Sequence, residues 1–188
     1  FRPQHLVVGH DFQFGKSRAG TWTTLQAWAD QAGVELTQVP ALRVGGEVVS
    51  SSRIRGLLER ADLRGAEDLL GYAFSYRGIV VHGHGRGRTL GIPTANVQIE
   101  AKILLPTGVY AVRLDGRPGV ANFGVRPTFG DQGQLGLECH LFDFEGDLYG
   151  RRVEVELLQK IRDEQKFPTA EDLRAAIARD LTRARQVH

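Results

Sequence analysis

Residues 78–96 read GIVVHGHGRGRTLGIPTAN, and this stretch decides how the rest of the chain is understood. It holds five glycines (78, 83, 85, 87 and 91), two arginines (86 and 88) and a closing Pro93-Thr94-Ala95-Asn96. The β-branched run Ile79-Val80-Val81 leads in as a strand. The loop that follows has few side chains apart from positive ones. Glycines let backbone N–H groups approach an anion, and arginines offer forked donors to phosphate oxygens. Thr94 and Asn96 then present short oxygen-bearing side chains on a stiffened backbone, as a hard cation such as Mg2+ prefers. These residues read as a phosphate-plus-metal loop. A solvated Gly/Arg turn is the plainer alternative, because G-x-G-x-G alone is common.

Two widespread phosphate loops are excluded. A dinucleotide fingerprint opens a helix, whereas Pro93 and a return to β-branched residues follow here. A Walker A loop places four residues between its first glycine and Gly-Lys-Ser/Thr. Gly9 and Gly15-Lys16-Ser17 are separated by five, among them Asp11, Phe12 and Phe14.

Composition narrows the function further. A chain of 188 residues is one large domain or two small ones, and 41% hydrophobic content is ample for a packed core. The net charge is only +2, with 20 Arg against 4 Lys, so the positive charge is of the directional, phosphate-matching kind. That balance is too mild for a general nucleic-acid binder. The lone Cys139 excludes an internal disulfide framework and fits a reducing cytoplasm; it alternates with Leu137 and Leu141, as a core thiol does. No run is long and apolar enough to span a membrane, and no signal peptide is visible. The chain opens on Phe1 and has no methionine, from which a longer natural protein is expected.

The pattern along the chain changes once. Residues 5–9 suggest a buried strand, and residues 21–32 a helix with Leu25 and Trp28 inward; Trp22 and Trp28 are expected in the core. Residues 34–39 and 42–49 are extended, the second broken by Gly45-Gly46. Ser50-Ser51-Ser52 precedes a helix over about 53–60, and Asp62 caps another through Leu70. These elements suggest an α/β unit ending near 71–75. Strands follow at 77–83, 109–114, 119–124, 135–142 and 152–158, with turns at Asp115-Gly116, Gly130-Asp131 and Glu145-Gly146-Asp147. Short strands between Gly-rich turns suggest a closed β-barrel. Thr169 and Asp172 resemble a capping box opening a last helix, whose stripe Leu173, Ala176, Ile177, Leu181 and Ala184 packs on the barrel.

Six segments now stand in order: GHGRGRTLGIPTAN (83–96), PTGVYAV (106–112), GVANFGVRPTF (119–129), LECHLFDF (137–144), LYG (148–150) and IRDEQKF (161–167). Together they resemble the riboflavin kinase family over about residues 72–188. VVGHDFQFGKSRAG (7–20) and VVSSSRIRGLL (48–58) resemble the later part of the FMN adenylyltransferase module fused to bacterial riboflavin kinases. The family's early phosphate-binding segment with paired histidines is expected before Phe1; His82 and His84 lie in the kinase loop and do not replace it. The implied fold class is α+β: a partial nucleotidyltransferase module over 1–71, then a six-stranded Greek-key barrel with a C-terminal helix over 72–188.

The resemblance also implies roles. Gly83, Gly85, Arg86, Gly87 and Arg88 would surround the phosphates of ATP. Thr94 and Asn96 would hold Mg2+ and its nucleotide, and Glu138 matches the catalytic carboxylate. Arg162 and Phe167 lie where the family closes over the flavin. In the adenylyltransferase remnant, Asp11, Ser51, Ser52 and Arg55 would contact nucleotide. The expected partners are riboflavin or FMN and ATP or ADP, with no nucleic acid and no membrane. The expected reaction is ATP-dependent phosphorylation of riboflavin, with FMN adenylylation confined to the longer parent protein.

Residue chemistry agrees with part of this. In the strand 135–142, Leu137, Cys139 and Leu141 point one way and Glu138 and His140 the other, so Glu138 is free to take a proton from a ribityl hydroxyl. Without its surroundings, a strand Glu is an exposed edge charge. His140 reads as structural or solvent-facing. Serines before a helix are usually caps, although a helix N-terminus with hydroxyls and Arg is also a phosphate site, a reading the resemblance raises; Asp11 serves equally as a turn residue. The competing functions are a small-barrel module for single-stranded nucleic acid and a flavin-binding regulator without catalysis.

Overall fold

The structure, a computed structural model, describes residues 2–83, 92–125 and 135–188. It divides into two compact units, Phe1–Val49 and Ser50–His188.

In the first unit, strand β1 (His5–Gly9), helix α1 (Trp22–Ala32) and strand β2 (Glu35–Val39) form a crossover, with β2 parallel to β1. Thr21 starts α1: its backbone N–H donates to Thr24 Oγ1 at 2.8 Å, and the Thr24 hydroxyl returns to the Thr21 carbonyl. The covered face of α1 runs through Leu25 and Ala29, whose buried methyl brings the helix close to its neighbours. This corrects the expectation for Trp28. It falls on the flank of that stripe and is 47% exposed, while Trp22 is half-buried. Strands β3 (Arg43–Val44) and β4 (Glu47–Val48) form a minimal hairpin. Its Gly45-Gly46 turn has φ of 61° and 82°, the twist that favours tight hairpins.

The second unit begins with helices α2 (Ser51–Glu59) and α3 (Leu63–Leu70). Ser50 accepts from the Arg53 N–H at 3.3 Å and Asp62 from the Gly65 N–H at 3.0 Å. Leu58, Leu63 and Ala66 are continuous with the core of the strands that follow. That shared apolar face explains why the compact unit starts at Ser50, ahead of the change of rhythm at 71–75.

Six strands then close a barrel: β5 (Ser75–Val81), β6 (Ala95–Ile99), β7 (Gly108–Leu114), β8 (Arg117–Val125), β9 (Leu135–Leu141) and β10 (Arg152–Arg162). The order around the wall is β10-β5-β6-β9-β8-β7, and β10-β7-β8-β9 is a Greek key. Sequence patterning located five of the six strands. The sixth, β6, is hidden by its polar members Asn96 and Gln98. The interior is filled by Tyr110, Phe123, Leu137 and Val155 among others. Tyr110 donates to the Pro106 carbonyl at 2.6 Å, and the Leu104 N–H donates to Tyr76 Oη at 2.9 Å. Both rings thereby hold the segment before β7. Burial pushes both phenols above their ordinary pKa, so they stay protonated throughout the working range.

Helix α4 (Ala170–Arg185) packs against β7, β8 and β10 from outside, over Val109, Ala111, Val120 and Phe142. The expected cap is present: Thr169 Oγ1 accepts from the Asp172 N–H at 3.1 Å. The helix is also tied to the end of β10 by an ion pair. Arg162 Nε lies 3.0 Å from both Asp180 carboxylate oxygens and Nη2 lies 2.8 Å from one of them, with side-chain exposures of 18% and 6%.

Removing one partner of so enclosed a pair leaves an uncompensated charge, which costs roughly 3–5 kcal/mol when burial is deep. Asp180→Ala should therefore destabilise the second unit by about 3 kcal/mol in urea denaturation. Arg152→Gln removes an exposed pair with Glu100 and should cost less than about 1 kcal/mol. Equal effects would show that Asp180 does not anchor the helix.

Candidate active site

The site is built on the outer face of the barrel. In β9, Leu137, Cys139 and Leu141 fill the interior, leaving Glu138 exposed on the outside, as the alternation predicts. Glu138 is in register with Asn96 of β6 on one side and Asn122 of β8 on the other. Asn122 in turn faces Val109 of β7, and Val109 faces Arg162 of β10. Register partners in antiparallel strands share a face. One row across five strands thus carries Asn96, Glu138, Asn122, Val109 and Arg162.

A cavity of about 290 Å³ opens over Glu138, Asn122, Val109 and Arg162 of this row. Thr94, Glu138, Arg162 and Phe167, all expected from sequence to act together, line it in company with Asn122 and Ile177 of α4. The Phe167 ring lies 5.4 Å from the Arg162 guanidinium carbon, a cation–π contact. Arg162 Nη1 also donates to the Asp163 carbonyl at 2.9 Å. With Asp180 on its other edge, Arg162 is held as a fixed wall. Gly124 lets the 163–167 segment settle on the barrel: a Cβ there would stand 2.8 Å from Glu164 Oε1.

Thr94 and Asn96 sit at the head of β6. The 8% exposure of Asn96 has a local cause in Gly83, where any Cβ would overlap the Asn96 carboxamide. His140 secures the preceding turn, with Nδ1 2.9 Å from the Pro93 carbonyl. A carbonyl only accepts, so Nδ1 carries the proton. The structural role expected for His140 is thereby specified: it positions the backbone that presents Thr94. Thr94 also lines a second cavity, of about 240 Å³, at the barrel mouth with Val80, Cys139, Phe144 and Tyr149. Beside it the His82 and Tyr149 rings stack with centroids 3.9 Å apart.

No group of three or more His, Cys, Asp or Glu placed to bind a metal occurs among the described residues. The donor chemistry at Thr94 and Asn96 is that of neutral oxygens beside one carboxylate. Such a set fits a cation that keeps its waters and takes its charge balance from substrate phosphates, as Mg2+ does.

Gly85, Arg86, Gly87 and Arg88 lie outside the described residues. Asp11 belongs to the first unit, with its carboxylate 83% exposed and 3.9 Å from His10 Nδ1. Ser51, Ser52 and Arg55 are exposed on α2; the cap itself is Ser50. Ser51 and Arg55 line a separate cleft with Ile54, Tyr72 and Arg77. Sequence reasoning missed Asn122, Glu164 and Asp180. Two signals pointed to Asn122: it lies in the segment 119–129, and alternation in β8 sets it between the core residues Ala121 and Phe123.

Comparison with known proteins bears on the fold and the family. Residues 70–188 match the family described as riboflavin kinase (flavokinase), and residues 1–53 match that described as FAD synthetase. The bifunctional riboflavin kinase/FMN adenylyltransferase of Pseudomonas fluorescens is 46% identical over 186 residues, covering 97% of this chain and 60% of that protein. Its counterpart in Escherichia coli K12 is 44% identical over 190 residues, covering 98% and 60%. The chain spans about 60% of the length of the curated relatives it matches. A crystal structure described as a macrolide-efflux protein from Streptococcus pneumoniae aligns with a TM-score of 0.79 at 34% identity, covering 94% of this chain and 58% of that one. No helix among the described residues is long and apolar enough to cross a membrane. With the kinase profile spanning the whole barrel and its final helix, the chain belongs to the riboflavin kinase family.

Proposed function

We propose that this chain phosphorylates riboflavin with ATP to give FMN, and that residues 1–71 belong to an FMN adenylyltransferase module of a bifunctional FAD synthetase. The observation that carries the proposal is the cavity joining Thr94, Glu138, Arg162 and Phe167, within the stretch matching the kinase family. Riboflavin occupies this cavity, its ring against Phe167 and the apolar side chains of α4 and its ribityl chain along the barrel wall. ATP lies on the other side of Thr94, its phosphates cradled by Gly83, Gly85, Arg86, Gly87 and Arg88. Thr94 borders both cavities, which supports its lying between the two substrates.

In the transfer step, a ribityl hydroxyl oxygen attacks the γ-phosphorus of ATP. The hydroxyl proton passes to the Glu138 carboxylate, and the bond from the γ-phosphorus to the bridging oxygen breaks, leaving ADP. Thr94 and Asn96 would hold Mg2+, which would supply positive charge to offset that of the phosphates. His140 and Gly83 keep Thr94 and Asn96 in place. Asp11, Ser51, Ser52 and Arg55 contact nucleotide in the adenylyl reaction of the parent protein. The lone, buried Cys139 accords with a cytoplasmic setting. A barrel for single-stranded nucleic acid is disfavoured by the wall itself, where the carboxylates of Glu138 and Glu164 would repel a phosphodiester backbone.

Incubating the chain with riboflavin, ATP and Mg2+ should yield FMN, followed by chromatography. Recovery of riboflavin alone from folded protein would refute the assignment. Glu138→Gln should lower kcat by about two to four orders of magnitude, with riboflavin affinity little changed. A near-normal kcat would make Glu138 a surface charge. Thr94→Ala and Asn96→Ala should raise the MgATP requirement while flavin fluorescence still reports riboflavin binding. An unaltered metal dependence would remove both from the cation site.

A further inference from the structure

The geometry points to Asn122 as the residue that recognises the polyol chain of the substrate, clasping a hydroxyl next to the one that Glu138 deprotonates. This inference rests on the riboflavin kinase reading above and assigns a role to Asn122, a member of the segment 119–129 to which that reading gave none.

Three observations carry it. First, Asn122 is the direct register partner of Glu138, so the two side chains leave the same face of the barrel with Cβ atoms about 4.5–5.5 Å apart. Side chains at that spacing can each reach one of two adjacent hydroxyls on a carbon chain. Second, Asn122 is exposed and lines the cavity, whereas the other amide flanking Glu138, Asn96, is buried beneath Gly83. The two amides are therefore inequivalent, and only Asn122 is presented to a molecule lying in the cleft. Third, Asn122 has carboxylates near it, Glu138 in register and Glu164 across Gly124. Its Nδ2 lies 3.5 Å from the point where a Gly124 Cβ would be, and Glu164 Oε1 lies 2.8 Å from that same point.

Chemistry separates this position from its neighbours. Ionised Glu138 and Glu164 only accept hydrogen bonds, so each can take a hydroxyl proton but neither can satisfy a hydroxyl oxygen. A carboxamide both donates and accepts. Of the two carboxamides in the row, Asn122 is the exposed one, able to bond a hydroxyl oxygen without adding charge beside the catalytic carboxylate. A polyol chain meets this need, while a bare isoalloxazine or alloxazine ring does not reach it. Asn122 thus acts in specificity for the side chain rather than for the ring.

The test compares riboflavin with lumichrome, a flavin-derived ring that lacks the ribityl chain, using fluorescence titration of the whole chain. Loss of one neutral hydrogen bond corresponds to roughly 0.5–1.5 kcal/mol, about a two- to tenfold change in affinity. Asn122→Ala and Asn122→Leu should weaken riboflavin by about this factor, raise its KM more than they lower kcat, and leave lumichrome binding unchanged. Unaltered lumichrome binding also shows that the variants are folded. Unchanged riboflavin affinity, or equal weakening of both ligands, overturns the role of Asn122. Failure of the unsubstituted chain to bind riboflavin at all overturns the kinase reading itself, and this inference with it.

Discussion

The structure depends on strand β10 serving two neighbours at once. Its first half pairs with β5 from Arg152 to Glu156, and its second half pairs with β7 from Val155 to Arg162. Eleven residues are needed for that double duty, and register shifts around Leu157–Gln159 and Lys160–Arg162 let the strand bend as it passes from one partner to the other. Closure leaves the barrel no free edge along this seam and fixes the stagger of every other strand. Because the row from Asn96 to Arg162 is defined by register alone, a slip of one residue in any ladder would turn a member of the row into the core.

Electrostatics then decides which members of that row remain available for chemistry. Arg162 is occupied by Asp180 and by the Asp163 carbonyl, so its charge is already compensated within the protein. Among the described residues, the register partners that flank Glu138 are two amides, Asn96 and Asn122. Contrast Glu154, on the far side of the barrel. There the Ser75 hydroxyl at 2.6 Å, with Arg77 beside it, holds the carboxyl below its ordinary pKa and commits it to structure. The oxygens of Glu154 are thus taken up in structure, whereas Glu138 is exposed at the cleft.

Much of this was legible in the sequence, for reasons that can be named. Alternation in 135–142 placed Glu138 outside the core because a strand has only two faces. The Thr169–Asp172 spacing identified the start of α4 because capping is a local transaction. What could not be read was long-range. Asn122 and Glu138 become neighbours only through strand pairing, and Asp180 meets Arg162 only when the helix docks. Strand β6 escaped because polar residues at two of its five positions blur its pattern. Trp28 was misplaced because size suggested burial, whereas Ala29 occupies the tighter contact on α1.

The barrel's alternating walls have a consequence for how the protein can change. Along β7, β8 and β9, Tyr110, Phe123 and Leu137 belong to a packed interior, while their immediate neighbours Val109, Asn122 and Glu138 face the cleft. Each strand thus carries two interleaved texts, one specifying stability and the other ligand choice. Drift in one need not corrupt the other. A lineage could rewrite the outer text to accept a different small molecule while inheriting the inner one intact.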